Sequence, residues 1–353
     1  MLYIRFTFNN LCTFYSKIVL KTEKIQKLMN PLYPIKFKPI LKDKIWGGSR
    51  LKTIFNKPGA SENTGESWEI SGYNNDISKV SNGFLEGKSL LELIDIYKGE
   101  LIGNKVYTKF GAGFPLLIKF IDANDALSVQ VHPDDEFALK NHNSNGKSEM
   151  WYIIGAEENA EIISGFNQQT DINKFNSALK SGKIEELLNS EKVSPGDVFY
   201  IPARTVHAIM TGVLLAEIQQ TSDLTYRIYD WNRKDSNGNY RELHTRLASE
   251  VIDFTFPQKT RIKYTEELNK STNLVDCQYF TTNLVKINSV TRKDYSSIDS
   301  FIIYICIEGS VEIITKYDKT HMKKGDTFLI PANLKEIELI PLKYSTLLEA
   351  YIK

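Results

Sequence analysis

One stretch of the chain alternates in a way that differs from an ordinary half-buried strand. Between Leu127 and His132, polar residues at every second position alternate with apolar ones. Alternate side chains of a strand point to opposite faces, so the polar set shares one face: Ser128, Gln130 and His132. A face of hydroxyl, amide and imidazole groups opposite a continuous apolar face is typical of a strand that lines a polar cavity.

Most of the remaining pattern also predicts β-strands. Short apolar or alternating runs, bounded by Gly, Pro and polar clusters, recur along the chain. We predict strands at 65–71, 114–122, 149–154, 161–166, 193–200, 214–220, 279–287, 301–307, 310–315, 327–330 and 337–340. Helical patterns are limited to 89–97, a short segment from Pro133, 171–190 and 232–252. The pattern therefore predicts a mainly β protein with a few peripheral helices.

An eight-residue segment occurs twice in the chain. Gly196–Ala203 reads GDVFYIPA, and Gly325–Ala332 reads GDTFLIPA. Each copy follows a predicted pair of strands, and this arrangement is the hairpin unit of a β-barrel. We therefore predict two related β-domains, at 29–260 and 261–353.

Composition narrows the class of protein. The 353 residues are 42% hydrophobic and 25% charged, with a net charge of +1, as in soluble globular proteins. This charge predicts no field strong enough to attract nucleic acid or an anionic membrane. The three cysteines form no CxxC pair and no disulfide framework, which is typical of a reducing compartment. We expect a cytoplasmic protein that is a monomer or a weak dimer.

Residues 1–28 differ from the rest of the chain. They mix aromatic residues with lysines and contain no long apolar run. A signal peptide needs an apolar core with a cleavage site, and a transmembrane helix needs about 20 apolar residues. We predict a poorly ordered N-terminal extension, with a membrane anchor as the alternative.

Four residues have the side chains and the placement of metal ligands. Gln130 and His132 share a strand face, Glu149 opens a strand, and His207 follows the end of another. Closure of a barrel can bring all four together. Amide, imidazole and carboxylate ligands suit zinc, with manganese, cobalt or iron as alternatives. In the second copy Glu336 stands at the offset of His207 and no Gln-x-His precedes it, so we predict that this copy keeps the fold without the metal.

Other titratable residues have simpler interpretations. The three remaining histidines are interpreted as structural or solvated: His142, His244 and His321. For His244 a position near the site is the alternative, because it follows Arg241 and Glu242. For Glu66 and Glu69 we slightly favour solvated residues beside a buried Trp68 over a functional role.

Four motifs, in order, resemble those of type I mannose-6-phosphate isomerases, in particular the short bacterial form. They are SVQVHPDD at 128–135, GKSEMWY at 146–152, IPARTVHA at 201–208 and EIQQTSDLTYRIYD at 217–230. The resemblance covers about 31–353. It implies a cupin fold, that is, a double-stranded β-helix (jelly-roll) barrel, with a second cupin-like domain. This fold agrees with the internal repeat.

The resemblance also implies the members of an active site. It implies one zinc ion per chain, bound by Gln130, His132, Glu149 and His207. It further implies that Arg227 lies in the active site with Lys147, Ser128 and Asp223 nearby.

Two features depart from the longer members of the family. Those members read Asn-His-Lys-Pro-Glu where 145–149 read Asn-Gly-Lys-Ser-Glu. The histidine beside the lysine is missing, so a ring-opening role proposed for it cannot be carried over. The large helical insertion of the longer members is also missing, because only 171–190 and 232–252 are clearly helical in pattern.

The implied reaction interconverts mannose 6-phosphate and fructose 6-phosphate through an enediolate. It requires a polarised carbonyl and a cation near the developing charge. Arg227 is our candidate for the enediolate or the phosphate, Lys147 for a second cation, and Ser128 for a phosphate donor. The base that moves the proton stays open between Asp223, Glu242 and a hydroxide on the metal.

Two rival functions use the same fold. A cupin can bind a sugar phosphate as a sensor without turning it over. A metal cupin can also be an oxygenase, which usually needs redox-active iron with open positions. Gln130 in place of a second strand histidine argues mildly against an oxygenase.

Overall fold

The computed structural model describes residues 30–235 and 237–353. The predicted N-terminal extension, 1–28, lies outside the described residues. The strands are Ile35–Lys38 (β1), Ile40–Gly48 (β2), Thr64–Ile70 (β3), Gly72–Tyr73 (β4), Asp76–Ile77 (β5), Lys79–Val80 (β6), Leu116–Ala123 (β7), Val129–Val131 (β8), Glu149–Ala156 (β9), Glu161–Phe166 (β10), Leu188–Lys192 (β11), Val198–Ile201 (β12), His207–Ile209 (β13), Val213–Gln220 (β14), Tyr226–Tyr229 (β15), Arg261–Ile262 (β16), Ser271–Asp276 (β17), Thr281–Ile287 (β18), Thr291–Asp294 (β19), Ile302–Glu308 (β20), Ser310–Ile314 (β21), Lys319–Lys323 (β22), Thr327–Ile330 (β23), Glu336–Pro341 (β24) and Ser345–Tyr351 (β25).

The helices are short and lie between the strands. They are Arg50–Thr53 (α1), Leu90–Tyr97 (α2), Gly99–Ile102 (α3), Asn104–Phe110 (α4), Asp135–His142 (α5), Ile172–Lys180 (α6) and Thr245–Val251 (α7), with 3₁₀ turns at Gly83–Leu85 and Ile184–Leu187. Ser89 caps α2 in a reciprocal capping box with Glu92, as its sequence position predicts. The helix predicted at 232–252 is confirmed only over Thr245–Val251, and His244 is its N-cap residue.

Two sheets form a first sandwich. A seven-stranded sheet has the order β16-β12-β9-β14-β7-β3-β2, and a five-stranded sheet has the order β11-β10-β13-β8-β15. Apolar residues from both sheets share one core, among them Ile121, Trp151, Phe199 and Ile209. The outer face of the five-stranded sheet packs on helices, where Val131 and Phe175 share a second cluster.

A second sandwich repeats this arrangement. Its sheets have the orders β17-β18-β25-β20-β23-β1-β6 and β19-β24-β21-β22. Their common core includes Tyr304, Val311, Phe328 and Leu339. The mainly β prediction, with few helices, is confirmed. The boundary at 260 stays a prediction. Strand pairing crosses it twice: β1 of the N-terminal part pairs with β23, and β16 of the C-terminal part pairs with β12.

The two seven-stranded sheets share a third apolar core. It contains Phe120 and Ile218 from the first sandwich, Ile305 and Leu348 from the second, and residues of the helices between 90 and 106. No helix in the described ranges has both the length and the hydropathy that a membrane span requires.

Candidate metal and substrate site

Strand register sets three of the predicted site residues side by side. In the five-stranded sheet, Gln130 on β8 lies directly opposite His207 on β13 and opposite Arg227 on β15. Side chains at directly opposite positions of antiparallel strands lie on the same face, with Cβ atoms about 5 Å apart. Gln130 therefore lies between a predicted metal ligand and the predicted active-site cation.

His132, Glu149 and His207 form a buried cluster. One ligand atom of each lies within 4.8 Å of the others. Nε2 of His132 lies 3.5 Å from Oε2 of Glu149, and Nε2 of His207 lies 3.3 Å from Oε1. The Nδ1 atoms lie 2.8 Å and 2.9 Å from the carbonyl oxygens of Leu224 and Thr205. Because carbonyls only accept, each Nδ1 carries the proton and each Nε2 lone pair faces Glu149.

The protonation of this cluster suits a cation. Burial lowers the pKa of His132, and lowers that of His207 to about 4, so both imidazoles are neutral. Burial raises the pKa of Glu149 to about 7. Within the described part of the chain, Oε1 of Glu149 and Nε2 of His207 are buried without a hydrogen-bond partner, and Oε2 of Glu149 lies beside the ammonium of Lys147. Two neutral imidazoles and a carboxylate oxygen without a donor fit a divalent metal such as zinc.

Lys147 joins the cluster to a cavity. Its buried ammonium lies 2.6 Å from Oε2 of Glu149 as an ion pair and 2.9 Å from Nε2 of His132. The cavity measures about 290 Å³ and is lined by five of the predicted residues: Ser128, Gln130, Lys147, Asp223 and Arg227. Its other charged lining residues are Lys44, Glu66, Lys119, Glu217 and Arg241. Five cations against three carboxylates make this cavity suitable for an anion.

Arg227 is held by residues 242 and 244, and part of its guanidinium has no partner in the described residues. Its Nη1 donates to the carbonyl oxygen of Glu242 at 2.7 Å, and its backbone N–H donates to Nδ1 of His244 at 3.2 Å. Its Nε is buried and has no hydrogen-bond partner in the described ranges. The Glu242 carboxylate is 83% exposed, and the residue is not part of the cavity lining. The structure therefore brings Asp223, but not Glu242, to the cavity.

A buried ion-pair network at the cavity was missed by the sequence reasoning. Lys119 Nζ lies 3.3 Å from Oε2 of Glu217, and Trp151 Nε1 donates to Oε1 of the same carboxylate at 3.0 Å. Glu66 accepts from Trp68 Nε1 at 2.7 Å. The available signal was a single charged residue inside an apolar strand, namely Lys119 in β7 and Glu217 in β14, because such a charge needs a buried partner.

The favoured interpretation of Glu66 and Glu69 is wrong in one respect. Trp68 is buried as expected, but the two carboxylates are buried with it, at 9% and 4% exposed. Glu66 faces the cavity, whereas Glu69 pairs with Lys57 at 2.6 Å. The strand is buried on both faces, so neither carboxylate is in solvent.

The other histidines lie outside the cluster. Nε2 of His142 lies 2.7 Å from the hydroxyl of Tyr226. His244 lies next to Arg227 through its bond to that backbone, and it is therefore close to the cavity without lining it. His321 is exposed on β22.

Comparison with known proteins identifies the family. Residues 35–167 match the family described as phosphomannose isomerase type I, catalytic domain, and 270–340 match the mannose-6-phosphate isomerase cupin domain. The chain is 39% identical over 312 residues to mannose-6-phosphate isomerase ManA of Bacillus subtilis (strain 168), which covers 87% of this chain and 95% of that protein. The chain belongs to the mannose-6-phosphate isomerase family.

Other members agree in sequence and in fold. Mannose-6-phosphate isomerase of Streptococcus mutans is 36% identical over 293 residues, covering 83% of this chain and 90% of that one. The crystal structure of the Bacillus subtilis mannose 6-phosphate isomerase aligns with a TM-score of 0.81 and 37% identity, over 91% of this chain and 100% of that chain. The family resemblance and the cupin fold class predicted from the motifs are confirmed.

Proposed function

We propose that this protein interconverts mannose 6-phosphate and fructose 6-phosphate, with one zinc ion per chain. One observation carries the proposal: the cavity that contains Ser128, Lys147 and Arg227 adjoins the His132, Glu149 and His207 cluster through Lys147. The isomerase relatives support the substrate. Gln130 would be the fourth metal ligand, because it lies opposite His207 and lines the cavity.

The cavity supplies the groups that hold a sugar phosphate. Arg227 has a buried Nε without a partner in the described chain, so its guanidinium can take a phosphate or an enediolate in a forked geometry. Lys147 is the second cation, and the Ser128 hydroxyl donates to the phosphate. When bound, zinc polarises the sugar oxygens beside the reacting carbons.

Two carboxylates of the cavity can move the proton between C1 and C2. Asp223 is exposed at the cavity. Glu217 is buried, and its Oε2 has no hydrogen bond in the described part of the molecule. Burial alone would raise the pKa of Glu217, but the ammonium groups of Lys119 and Lys147 lower it. The carboxylate is therefore in the ionised form that a base requires, and its lowered pKa makes it a weaker base than an ordinary glutamate. We add Glu217 to Asp223 as a candidate base.

Location and assembly belong to the same proposal. We propose a cytoplasmic monomer or weak dimer whose partner is a small sugar phosphate, without nucleic-acid or membrane partners. The net charge of +1 supports the absence of a polyanion partner. Cys277 and Cys306 are both free thiols, which supports a reducing compartment. We also propose 29–260 as the catalytic domain and 261–353 as a cupin-like domain without the metal ligands.

A coupled assay that follows fructose 6-phosphate formed from mannose 6-phosphate tests the proposal. The purified protein should convert the substrate, lose this activity when its metal is stripped, and regain it with zinc. Metal content is measured on the same samples. Binding of mannose 6-phosphate without conversion would instead support a sensor. Full activity after verified metal removal would contradict the metal-dependent mechanism.

A further inference from the structure

Lys147 is flanked by a hydrogen-bonded bridge that lies outside the cavity lining. On one side, the backbone N–H of Gly146 donates to Oδ1 of Asp135 at 2.9 Å. On the other side, the backbone N–H of Ser148 donates to Oε1 of Gln220 at 2.9 Å. The bridge closes because Nε2 of Gln220 donates to the same Oδ1 of Asp135 at 3.0 Å. Two side chains therefore hold the residues before and after Lys147.

The bridge is packed as well as hydrogen-bonded. Gln220 is 6% exposed and Ser148 is 2% exposed. The backbone N–H of Gln220 also donates to the carbonyl oxygen of Ser148 at 3.2 Å, so these two residues are joined in both directions. A Cβ atom on Gly146 would lie 2.5 Å from the backbone nitrogen of Asp135. The loop can approach α5 this closely only because residue 146 has no side chain.

The bridge has a consequence for the Lys147 side chain. A lysine ammonium sits on a flexible stem of four carbons, so its position depends on where its backbone is held. The Lys147 ammonium lies beside Oε2 of Glu149 and lines the cavity, and it reaches both from one backbone position. A displacement of about 1 Å at such a group can cost roughly 100-fold in rate.

We propose that Gln220 and Asp135 are positioning residues that present Lys147 to the reaction. This inference rests on the role of Lys147 in the proposed function. The second sandwich lies close to the same bridge, because Tyr279 and Asp135 line one pocket together.

The substitution Gln220→Glu tests the bridge at nearly constant shape. The carboxylate can still accept from Ser148, but it cannot donate to Asp135 and it repels that carboxylate. We expect kcat/KM to fall roughly tenfold or more. Asp135→Ala, at an exposed side chain, should give a similar loss in a folded protein. Asn145→Ala is the matched control, because its Nδ2 donates to the carbonyl oxygen of Thr221 and takes no part in the bridge.

A double-mutant cycle with Lys147→Ala separates positioning from general structure. If Gln220 acts through Lys147, Gln220→Glu should cause little further loss of kcat/KM once Lys147→Ala is present. Additive losses would overturn the inference and leave the role of Lys147 intact. Native kcat/KM in both Gln220→Glu and Asp135→Ala would do the same. Native kcat/KM in Lys147→Ala would instead remove the role of Lys147 and the inference with it. Melting temperature and zinc content are measured for each variant.

Discussion

Glu217 and Glu349 occupy equivalent positions in the two sandwiches, each directly opposite an aromatic residue that donates a hydrogen bond to it. Trp151 lies opposite Glu217 and donates from Nε1 to Oε1 at 3.0 Å. Tyr304 lies opposite Glu349 and donates from its hydroxyl to Oε1 at 2.8 Å. The internal repeat therefore extends from the backbone to a buried carboxylate in each half.

The two carboxylates differ in what surrounds their oxygens. Glu349 accepts hydrogen bonds from Tyr295 at 2.6 Å and from Ser271 and Asn283 at 2.8 Å each. Glu217 instead lines the cavity, and its Oε2 has no hydrogen bond within the described chain and lies 3.3 Å from the Lys119 ammonium. The carboxylate of Glu349 is therefore enclosed by hydrogen-bond donors, whereas that of Glu217 faces the cavity.

We predict that Glu217→Gln lowers turnover and that Glu349→Gln does not. Glu349→Gln removes a buried charge that also pairs with Lys293 at 3.1 Å, so the free energy of unfolding should fall by on the order of 3 kcal/mol with turnover per folded molecule unchanged. Glu217→Gln should lower kcat roughly 100-fold. Urea unfolding and steady-state kinetics measure both effects. Native turnover in Glu217→Gln would exclude this carboxylate from proton transfer.

Glu66 should make the stability of the protein depend on pH in the acid range. Burial alone would raise its pKa, but the ammonium groups of Lys119 and Lys44 hold it at about 2, below the ordinary value of 4.5. A carboxyl with a lowered folded pKa stabilises fully above its unfolded pKa, and this stability is lost as the pH falls from 4.5 toward 2. The contribution is on the order of 3 kcal/mol.

Urea unfolding at several pH values checks this assignment. The free-energy difference between the native protein and Glu66→Gln should be largest above pH 4.5 and should shrink as the pH approaches 2. Glu62→Gln is the control, because Glu62 pairs with Lys52 at the surface and both side chains are more than half exposed. A difference for Glu66→Gln that stays constant with pH would contradict the assignment.

Local alternation was enough to predict the cavity strand. Ser128 and Gln130 both line the cavity, and His132 belongs to the buried cluster with Glu149 and His207 just beyond β8. A strand of three residues carries this information because its period of two fixes which side chains share a face. The repeat at 196–203 and 325–332 likewise predicted two related β units.

The Glu66, Lys119 and Glu217 network was beyond local pattern. These residues lie on β3, β7 and β14, which are neighbours in one sheet although far apart in sequence. Only strand order brings them together, and the local hydrophobic pattern does not give that order. The first part of the helix predicted at 232–252 is absent for a different reason. Arg241 and Arg233 pair with Asp230, so the polar segment before Thr245 is held by ion pairs instead of by an apolar helical face.

Substitution of a predicted metal ligand should abolish zinc binding. Glu149→Gln removes the single carboxylate of the cluster, and His207→Ala removes an Nε2 that has no other partner in the described residues. The zinc content of each variant should fall from one ion per chain toward zero, because metal affinity depends on every ligand. Activity should be lost with the zinc. His142→Ala is the matched control, since its Nε2 contacts Tyr226 outside the cluster.

Metal content by mass spectrometry, with the melting temperature of each sample, decides this prediction. The control should retain native zinc content. A Glu149→Gln variant that still holds one zinc per chain would show that the metal lies elsewhere.

Arg227→Ala should lower turnover by roughly 100-fold or more without unfolding the protein. The guanidinium lines the cavity, and its Nε is free of hydrogen bonds within the described part of the chain. Arg227→Lys keeps the charge but loses the fork, so it should recover only part of the activity. Arg246→Ala is the control, because Arg246 is exposed on α7 and pairs with Glu250 at 2.6 Å.

The kinetic form of the loss distinguishes the two roles open to Arg227. An arginine that holds the phosphate contributes to ground-state binding, so Arg227→Ala would raise KM and weaken inhibition by inorganic phosphate. An arginine that stabilises the enediolate acts only in the transition state, so the variant would lose kcat while inorganic phosphate inhibits as before. Gln130 lies on β8, between His207 on β13 and Arg227 on β15, so Arg227 is close to the predicted metal ligands. We therefore expect a loss of kcat with unchanged inhibition by inorganic phosphate. Native kcat and KM in Arg227→Ala would remove Arg227 from the site.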